Sequence, residues 1–389
     1  FLKIFMSENK SFLTEQLITY IGNKRALLDF IGQGISFVQE DLGRKRLSTF
    51  DVFSGSGIVS RFMKRCSTKQ YVNDLEDYAG IISSCYLSNA ADINLAELDE
   101  LRAQLNSMCE KELSSHLSKD KTSFKSKPGF ISEYYAPQDM NDIQKEERCF
   151  YTPYNACFLD CMRQSIDKIV PEQMRKYFIA PLLAEASVHA NTGGVFKGFY
   201  KNSRTGTGKF GGNGANALSR IQGKIELKLP VLSSYKSAVT IFQSDANLLV
   251  KSPDCPAVDV AYIDPPYNQH PYGSNYFMLN LIASYTKPDE EKMSRISGIP
   301  RDWNRSDYNK KRFAAATFLD LVQNIRAKYL LISFNNEGFI PEQEMIALLE
   351  SAGTVTVLES PYNAYRASRN LSGRNIHVKE YLYVVKKNR

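Results

Sequence analysis

The four residues Asp264-Pro265-Pro266-Tyr267 carry the clearest chemical signal in the sequence. They follow an apolar run, Val258–Ile263, that predicts a buried strand, and α/β proteins bind ligands at the carboxyl ends of such strands. Because proline has no N–H, the loop offers acceptors only, namely the Asp264 carboxylate and the Pro265 carbonyl. Two acceptors suit an aryl amine. When each accepts a hydrogen bond from one of the two N–H groups, the nitrogen becomes more sp³-like and its lone pair can attack a sulfonium methyl group. Tyr267 would stack on the ring that bears the amine. The plain alternative is a proline turn after a strand.

A glycine-containing turn at residues 51–57 (Asp-Val-Phe-Ser-Gly-Ser-Gly) ends an earlier apolar run and opens a helical one. Its glycines would let the backbone approach a ligand held over the helix N-terminus, although a tight turn that binds nothing has the same pattern. Asp74 stands 23 positions after Asp51, at the end of the next predicted strand, where a carboxylate can accept both hydroxyls of a ribose. The third glycine of a dinucleotide-binding loop is missing.

Composition excludes several classes of protein. The 389 residues carry a net charge of +7 with pI ≈ 8.8, a mild lean toward a polyanionic partner that many ordinary enzymes share. Seven scattered cysteines indicate reduced thiols and a cytoplasmic location. Neither they nor the four histidines have zinc-ligand spacing, so we expect no metal. No apolar run approaches the ~20 residues of a membrane span. Residues 205–209 (Thr-Gly-Thr-Gly-Lys) fail as a phosphate loop, because Ser203 and Phe210 stand where glycine and Ser or Thr are needed.

Apolar runs alternate with helical ones over most of the chain. Strand-like runs occupy residues 47–53, 70–72, 238–242, 258–263, 329–334, 354–359 and 379–385. The three between 238 and 334 are apolar at nearly every position, which predicts central parallel strands buried on both faces, and the last two predict an edge hairpin. Residues 94–236 interrupt the alternation with helical runs at 95–117 and 156–190 and a Gly-, Lys- and Asn-rich segment. Because strand-like runs resume afterwards, we interpret this stretch as an insertion within one sheet domain.

The motifs follow one another in a characteristic order. Residues 20–25 (Tyr-Ile-Gly-Asn-Lys-Arg) come first, then 51–57, 73–74, the insertion, Asp245, 264–267 and 331–338 (Leu-Ile-Ser-Phe-Asn-Asn-Glu-Gly). In this the sequence resembles the alpha-group adenine-specific DNA methyltransferases of restriction-modification systems, over about residues 18–92 and 238–386. The resemblance implies an α/β fold with a Rossmann-like seven-stranded sheet. The catalytic domain would comprise 18–93 and 237–389, and an inserted, mainly helical target-recognition region would comprise 94–236.

The resemblance also implies S-adenosyl-L-methionine as the cofactor. Tyr20 and Lys24 would hold its methionine end, with the Lys24 ammonium on its carboxylate. Asp74 would accept the ribose hydroxyls, and Asp245 would bind the adenine amine of the cofactor. The expected cofactor-binding residues are Tyr20, Lys24, Asp51, Phe53, Gly55, Gly57, Asp74, Asp245 and Asp264.

The same resemblance assigns Asp264, Pro265, Pro266 and Tyr267 to catalysis and further residues to the substrate. The run 268–276 resembles the family's polar and aromatic continuation of the catalytic loop, and its residues would shape a base pocket. Arginines and tyrosines interleaved before the last strand would face DNA backbone and unpaired bases, although a solvated charged loop explains each of them as well. The expected substrate-binding residues are Tyr267, Tyr272, Asn275, Arg366, Arg369 and Arg374.

The function expected from this is site-specific methylation of the exocyclic amine of adenine in duplex DNA, after the base has been flipped out. Methylation of adenine in structured RNA, or of a glutamine amide in a protein, is the alternative, because Pro-Pro-aromatic loops serve planar amines generally. A scaffold that only binds DNA comes third. We expect double-stranded DNA as a partner, a separate restriction endonuclease acting on the same site, no membrane, and a monomer or weak dimer.

Overall fold

A single mixed sheet organises the computed structural model, which describes residues 8–212, 215–363 and 377–388. Its strands are β1 (Leu47–Asp51), β2 (Ser67–Asp74), β3 (Ala238–Gln243), β4 (Val258–Ile263), β5 (Ala327–Asn335), β6 (Gly353–Asn363) and β7 (His377–Lys387). They are ordered β3-β2-β1-β4-β5-β7-β6. The first five are parallel, and β7 runs antiparallel to both of its neighbours. The seven-stranded methyltransferase-type sheet is therefore confirmed.

Helices cover both faces of the sheet, because alternate residues of each strand point to opposite sides. The α-helices are α1 (Lys10–Thr14), α2 (Leu28–Asp41), α3 (Ile58–Met63), α4 (Asp77–Tyr86), α5 (Leu95–His116), α6 (Phe130–Tyr135), α7 (Pro153–Ile169), α8 (Lys176–Val188), α9 (Ala215–Gln222), α10 (Ala246–Lys251), α11 (Tyr272–Asn275), α12 (Phe277–Ser284), α13 (Lys311–Asn324) and α14 (Glu342–Glu350). On β5, Leu331 packs with α2 and α3, whereas Leu330 and Ile332 pack with α10, α13 and α14. None of the helices in the described ranges is long and apolar enough to cross a membrane.

Two predictions about these elements are wrong. β3 is not a central strand buried on both faces: it is the edge of the sheet, and its residues alternate between exposed and half-buried. The apolar side chains of a short run do not reveal which strand lies outermost. The helical run at 156–190 is two helices, α7 and α8, because Pro171 interrupts the pattern between them. The closing hairpin is confirmed, with β6 at the edge.

Helices α5 to α9 occupy the stretch predicted as an insertion, and their core is continuous with that of the sheet domain. Phe150 and Leu182 belong to one apolar cluster with Tyr78 of α4 and Phe277 of α12. The two ends of the stretch meet at Lys64, whose buried ammonium donates to the Asn89 side chain before it (2.8 Å) and the Ser237 hydroxyl after it (3.1 Å). The domain boundaries at 93/94 and 236/237 remain a prediction.

Candidate active site

A cleft opens at the carboxyl ends of β1, β2, β3 and β4, the edge where parallel strands place their following loops. It brings together most of the residues predicted for a site: Tyr20, Lys24, Asp51, Phe53, Gly55, Asp74, Asp245, Asp264, Pro266 and Tyr272. They come from distant parts of the sequence. The sheet therefore brings the motif residues together at one edge, as the order of the motifs predicts.

The turn between β1 and α3 depends on two glycines. Gly55 has φ = +49°, and a Cβ placed on it would lie 2.8 Å from the Tyr20 ring. Gly57, at φ = +73°, is the residue before α3, and it stands outside the lining of the cleft. Left-handed backbone is costly for residues with a side chain, so this turn requires glycine at both positions. The missing side chain at Gly55 also creates the room in which Tyr20 packs.

Asp74 closes the turn from the side of β2. Its Oδ2 accepts a hydrogen bond from the Gly55 N–H at 2.7 Å, and its Oδ1 accepts one from the Glu76 N–H at 3.0 Å. Burial raises the pKa of the Asp74 carboxyl, while these backbone donors oppose the rise. Each oxygen retains lone-pair capacity, so the carboxylate fixes the turn and still offers acceptors to a ligand.

Lys24 is the cation at the floor of the cleft, and it is buried between two carboxylates. Its Nζ lies 2.7 Å from Glu380 Oε1 and 3.3 Å from Asp264 Oδ1. Burial disfavours the ammonium, but the charges of Asp264 and Glu380 outweigh it and hold the pKa of Lys24 well above its ordinary value. Lys24 is therefore charged throughout the neutral range, and it directly joins the Tyr20–Arg25 segment to the catalytic loop.

The Asp264 carboxyl has an unusually high pKa. Burial raises the pKa of Asp264 to about 6; the Lys24 ammonium lowers it, and the charge of Glu380 raises it. The neighbouring Asp51, hydrogen-bonded by Ser60, has a pKa of about 7, also raised chiefly by burial. Perturbed carboxyls gathered in one cleft are typical of functional sites.

Stacked tyrosines fix the catalytic loop against the first motif. The Tyr20 ring stacks beside Tyr272, 5.0 Å away at 23°, and beside Tyr276, 4.8 Å away at 20°, and the last two rings are themselves 5.9 Å apart. Tyr272 donates from its hydroxyl to the Ile21 carbonyl (3.1 Å), and the Ile21 N–H donates to the Tyr276 hydroxyl (2.8 Å). Any movement of the segment after Tyr267 must therefore disturb Tyr20 as well.

Other predicted residues do not line the cleft in the described part of the chain. The Tyr267 ring packs edge-on against Phe334 at 5.5 Å, with the Lys24 ammonium 5.6 Å from its centroid. Pro265 is buried within the loop. Asn275 is buried inside α11, where its carbonyl accepts from the Phe196 N–H at 2.7 Å. Arg366, Arg369 and Arg374 lie outside the described residues.

Sequence reasoning misses three residues that complete the site: Glu76, Asn304 and Glu380. Glu76 lines the cleft and accepts from the side chain of Asn280, and burial raises its pKa to about 7. Its position two residues after Asp74 could have revealed it. Asn304, which donates to the Leu75 carbonyl at 3.0 Å, and Glu380 on β7 lie in no recognisable motif, so tertiary structure alone brings them here.

Comparison with known proteins decides the family. A family model for the D12 class N6 adenine-specific DNA methyltransferases matches residues 20–335. The chain belongs to this family. Two relatives match over nearly their whole length: the type II methyltransferase M.NlaIII of Neisseria lactamica, 26% identical over 95% of this chain and 99% of the relative, and M.CviAII of Paramecium bursaria Chlorella virus 1, 27% identical over 95% and 98%. M.FokI of Planomicrobium okeanokoites is 25% identical over 95% of this chain and 52% of its own.

Membership makes this protein a DNA methyltransferase specific for adenine, as the catalytic motif predicts. Methyltransferases of this kind draw on S-adenosyl-L-methionine in general, and the cleft fits such a group. The acceptors of Asp51, Asp74 and Glu76, which line the cleft together, suit an adenosine that carries a cationic sulfonium. Within the described residues, no three His, Cys, Asp or Glu side chains form a group able to hold a metal ion.

Proposed function

We propose that this adenine methyltransferase is site-specific, flips its target base out of duplex DNA, and serves as the modification enzyme of a type II restriction-modification system. The observation that carries the proposal is the placement of Asp264. Its carboxylate follows β4 and lines the same cleft as the glycine turn, 3.3 Å from the Lys24 ammonium. A planar amine brought to this position meets a buried acceptor in the same cleft as the acceptors proposed for the cofactor.

S-adenosyl-L-methionine would occupy the cleft between the glycine turn and the catalytic loop. Asp74 has spare acceptors for the ribose, and Asp245, which caps α10 through a bond from the Leu248 N–H (3.0 Å), faces the same space for the adenine amine. Lys24 would bind the methionine carboxylate. When bound, the cofactor supplies a methyl group on a cationic sulfur.

The residues of the chain would then orient the target amine. Asp264 and the Pro265 carbonyl each accept one amine hydrogen, which turns the nitrogen lone pair toward the methyl group. As the nitrogen–carbon bond forms, the bond from the methyl carbon to the cofactor sulfur would break and leave a neutral thioether, and the methylated amine would lose its surplus proton through Asp264 to solvent. Tyr267 would stack on the flipped base and hold it in register with these acceptors. In its present position the Tyr267 ring packs on Phe334, so stacking requires either a small rotation or a base that slides over the exposed face.

The restriction-modification context is supported by the relatives, which are themselves named as type II methyltransferases and modification methylases. A separate endonuclease of the same specificity would be the biological partner. A monomer suffices for the chemistry, because the described chain supplies every acceptor invoked here. The family match favours DNA over the alternative substrates, structured RNA and a protein glutamine amide.

Sequencing of genomic DNA from cells that express the chain tests this proposal. We expect N6-methyladenine at one short sequence, at every occurrence, and none in cells that express Asp264→Ala. Methylation scattered without sequence preference would overturn site specificity, and methyl transfer to RNA but not DNA would overturn the substrate.

The cofactor site is tested separately by calorimetry on Asp74→Ala. Loss of a charged acceptor costs ~1.5 to 3 kcal/mol, so S-adenosyl-L-methionine should bind at least about tenfold more weakly. Unchanged affinity would remove Asp74 from the site.

A further inference from the structure

The ammonium of Lys24 also forms an ion pair with a second carboxylate, that of Glu380, which lies outside the catalytic loop. Glu380 Oε1 is nearer to Lys24 Nζ, at 2.7 Å, than Asp264 Oδ1 is, at 3.3 Å. The Glu380 side chain is 1% exposed, and the Ser333 hydroxyl also donates to it at 3.4 Å. A charge buried this deeply is retained only with a partner, and here the partner is shared with the reaction centre.

Glu380 reaches this position from the antiparallel part of the sheet. It lies on β7 opposite Asn335 of β5, and it is absent from the described residues that line the cleft. It therefore contacts neither cofactor nor base directly. Its contact with the reaction centre is through Lys24, and its charge also acts on Asp264 beyond that contact.

We propose that Glu380 is a positioning residue, which holds the Lys24 ammonium back from Asp264 and so keeps the Asp264 carboxylate available to the adenine amine. The inference rests on the proposed role of Asp264. With Glu380 in place, one positive charge is divided between two carboxylates. Without its charge, the buried ammonium keeps Asp264 as its one strong partner within the protein and draws onto it, which makes that carboxylate a weaker acceptor for the amine.

The charged groups around Asp264 predict how its pKa should respond when the Glu380 charge is removed. The titratable groups around it are Lys24, Glu380, Asp51, Tyr262, Tyr267 and Tyr272. Burial is the largest cause that raises the pKa of Asp264, Lys24 opposes it, and the charge of Glu380 adds to it. Removing the Glu380 charge must therefore lower the pKa of Asp264, while leaving the burial unchanged.

Glu380→Gln tests the proposal, because it keeps the shape of the side chain and removes its charge. We expect single-turnover methyl transfer at pH 8 to fall at least about tenfold, with KM for S-adenosyl-L-methionine changed less than about threefold. The acid limb of the pH profile should move to lower pH, since a less basic Asp264 stays ionised further into acid. Glu380→Asp keeps the charge one methylene further away, and should shift the limb in the same direction but less.

Asp259→Asn is the matched control. Asp259 is also a buried carboxylate of the sheet, paired with Lys328 at 2.8 Å and Arg44 at 3.1 Å, but it lies near the start of β4, roughly 16 Å along the strand from Asp264. The Asp259→Asn substitution should lower the melting temperature of the protein without moving the acid limb of its pH profile. If Glu380→Gln behaves in the same way, Glu380 only stabilises the fold and the proposal is overturned.

Carbon-13 NMR of labelled aspartate carboxyls gives a reading that does not depend on activity, with Asp264→Asn used to assign the resonance. A lower Asp264 titration midpoint in Glu380→Gln supports the proposal, and an unchanged midpoint overturns it. If the wild-type enzyme fails to methylate DNA, or Asp264→Asn remains active, the proposed function fails instead, and the titration still reports on Glu380.

Discussion

At the scale of single residues, the cleft gathers carboxyls that are reluctant to ionise. Burial is the first cause for Asp51, Glu76 and Asp264, whose pKa values rise to about 7, about 7 and about 6. The Lys24 ammonium lies in the same cleft as these three carboxyls. A cofactor with a positively charged sulfur would favour their ionised forms, so cofactor binding and carboxylate ionisation should support each other.

Asp264 should give the reaction an acid limb near its own pKa. The carboxylate must be ionised to accept a hydrogen from the amine, so kcat/KM measured against DNA should fall as pH drops through about 6. Asp264→Ala should lose at least ~100-fold in single-turnover methyl transfer while cofactor affinity stays near that of wild type. Tritiated-methyl transfer to duplex DNA measures the rate, and calorimetry measures the affinity. A wild-type rate in Asp264→Ala would remove the amine-orienting role.

The contribution of Asp51 to folding stability should depend on pH in the opposite direction to that of an ordinary ion-paired carboxylate. Its pKa is raised in the folded state to about 7, above the value of 3.8 for an unperturbed carboxyl, so the folded protein loses stability as pH rises between these values. Asp51→Asn, which can still accept from Ser60, should raise the melting temperature at pH 8 by roughly 2 °C or more and change it little at pH 4. Thermal denaturation without cofactor at the two pH values is the measurement. A variant equally destabilised at both would show that Asp51 is already ionised in the fold.

Sequence reasoning finds Asp264, Asp74 and Lys24 because each stands in a short motif at a strand end or helix start. It cannot find Glu380, because a glutamate in a closing strand looks like any solvent-facing residue of an edge hairpin. β7 lies between β5 and β6, and this inner position places Glu380 beside Lys24. The pairing order of the last two strands, rather than any local pattern, creates the contact.

At the scale of elements, the glycine turn after β1 is where local geometry and ligand space depend on each other. Gly55 is left-handed and its missing Cβ leaves room for Tyr20, which in turn stacks on Tyr272 of α11. The turn, the first motif and the helix after the catalytic loop are thus packed as one unit. The sequence predicts the turn from its glycines, but the three-ring stack depends on side chains from separate segments.

Gly55→Ala should disrupt this unit. The added methyl would lie 2.8 Å from the Tyr20 ring, and the residue would also have to keep φ = +49°. Gly43→Ala is the matched control, because Gly43 has φ = +62° and nothing within 4 Å of an added Cβ. Both variants carry backbone strain of ~1 to 2 kcal/mol, so the difference between them isolates the contact with Tyr20. We expect calorimetry to show at least a tenfold loss of S-adenosyl-L-methionine affinity in Gly55→Ala only. Equal affinities would mean that Tyr20 can move without cost to the site.

The strands are predicted best where burial is complete. β4 begins and ends as its apolar run predicts, whereas β3, an edge strand, is wrongly predicted to lie in the middle of the sheet. An edge strand that covers a helix on one side keeps enough apolar residues to resemble a central one. The sequence predicts α7 and α8 as one helical run, because α7 before Pro171 and α8 after it are both rich in apolar residues.

At the scale of the whole molecule, the stretch predicted as an insertion is held against α12 and Tyr285 by buried hydrogen bonds. Arg163 of α7 donates to the carbonyl of Ile282 at 2.8 Å, near the end of α12. Asp160, one turn earlier, accepts from the N–H groups of Ile131 and Ser132 at the start of α6 and from the Tyr285 hydroxyl. A region fixed in this way can set the distance between a bound DNA site and Asp264 without a flexible joint.

The Gly-rich segment after α8 places positive charge beside the residues that follow Tyr267. Phe196 donates from its N–H to the carbonyl of Asn275 in α11, and burial, together with the charge of Lys197, lowers the pKa of His270. Lys197 and Lys201 are exposed and Lys209 is half-buried. Arg220 differs, because its guanidinium donates to the carbonyl of Ala190 at 3.1 Å and supports the segment itself. The lysines are therefore the group to test against DNA.

Replacing Lys197, Lys201 and Lys209 by glutamine should weaken binding to duplex DNA and reduce the slope of log K against log salt, by up to ~0.9 for each phosphate that the protein no longer neutralises. The matched control replaces Lys45, Lys69 and Lys236, three exposed lysines at the opposite, amino-terminal edge of β1, β2 and β3. Both triple variants remove the same net charge, so a general electrostatic effect would act on them equally. We expect fluorescence anisotropy at several salt concentrations to show a reduced slope only in the first variant, with cofactor affinity unchanged in both. Equal slopes in the two variants would mean that the segment touches no phosphates, and that DNA is held by other parts of the chain.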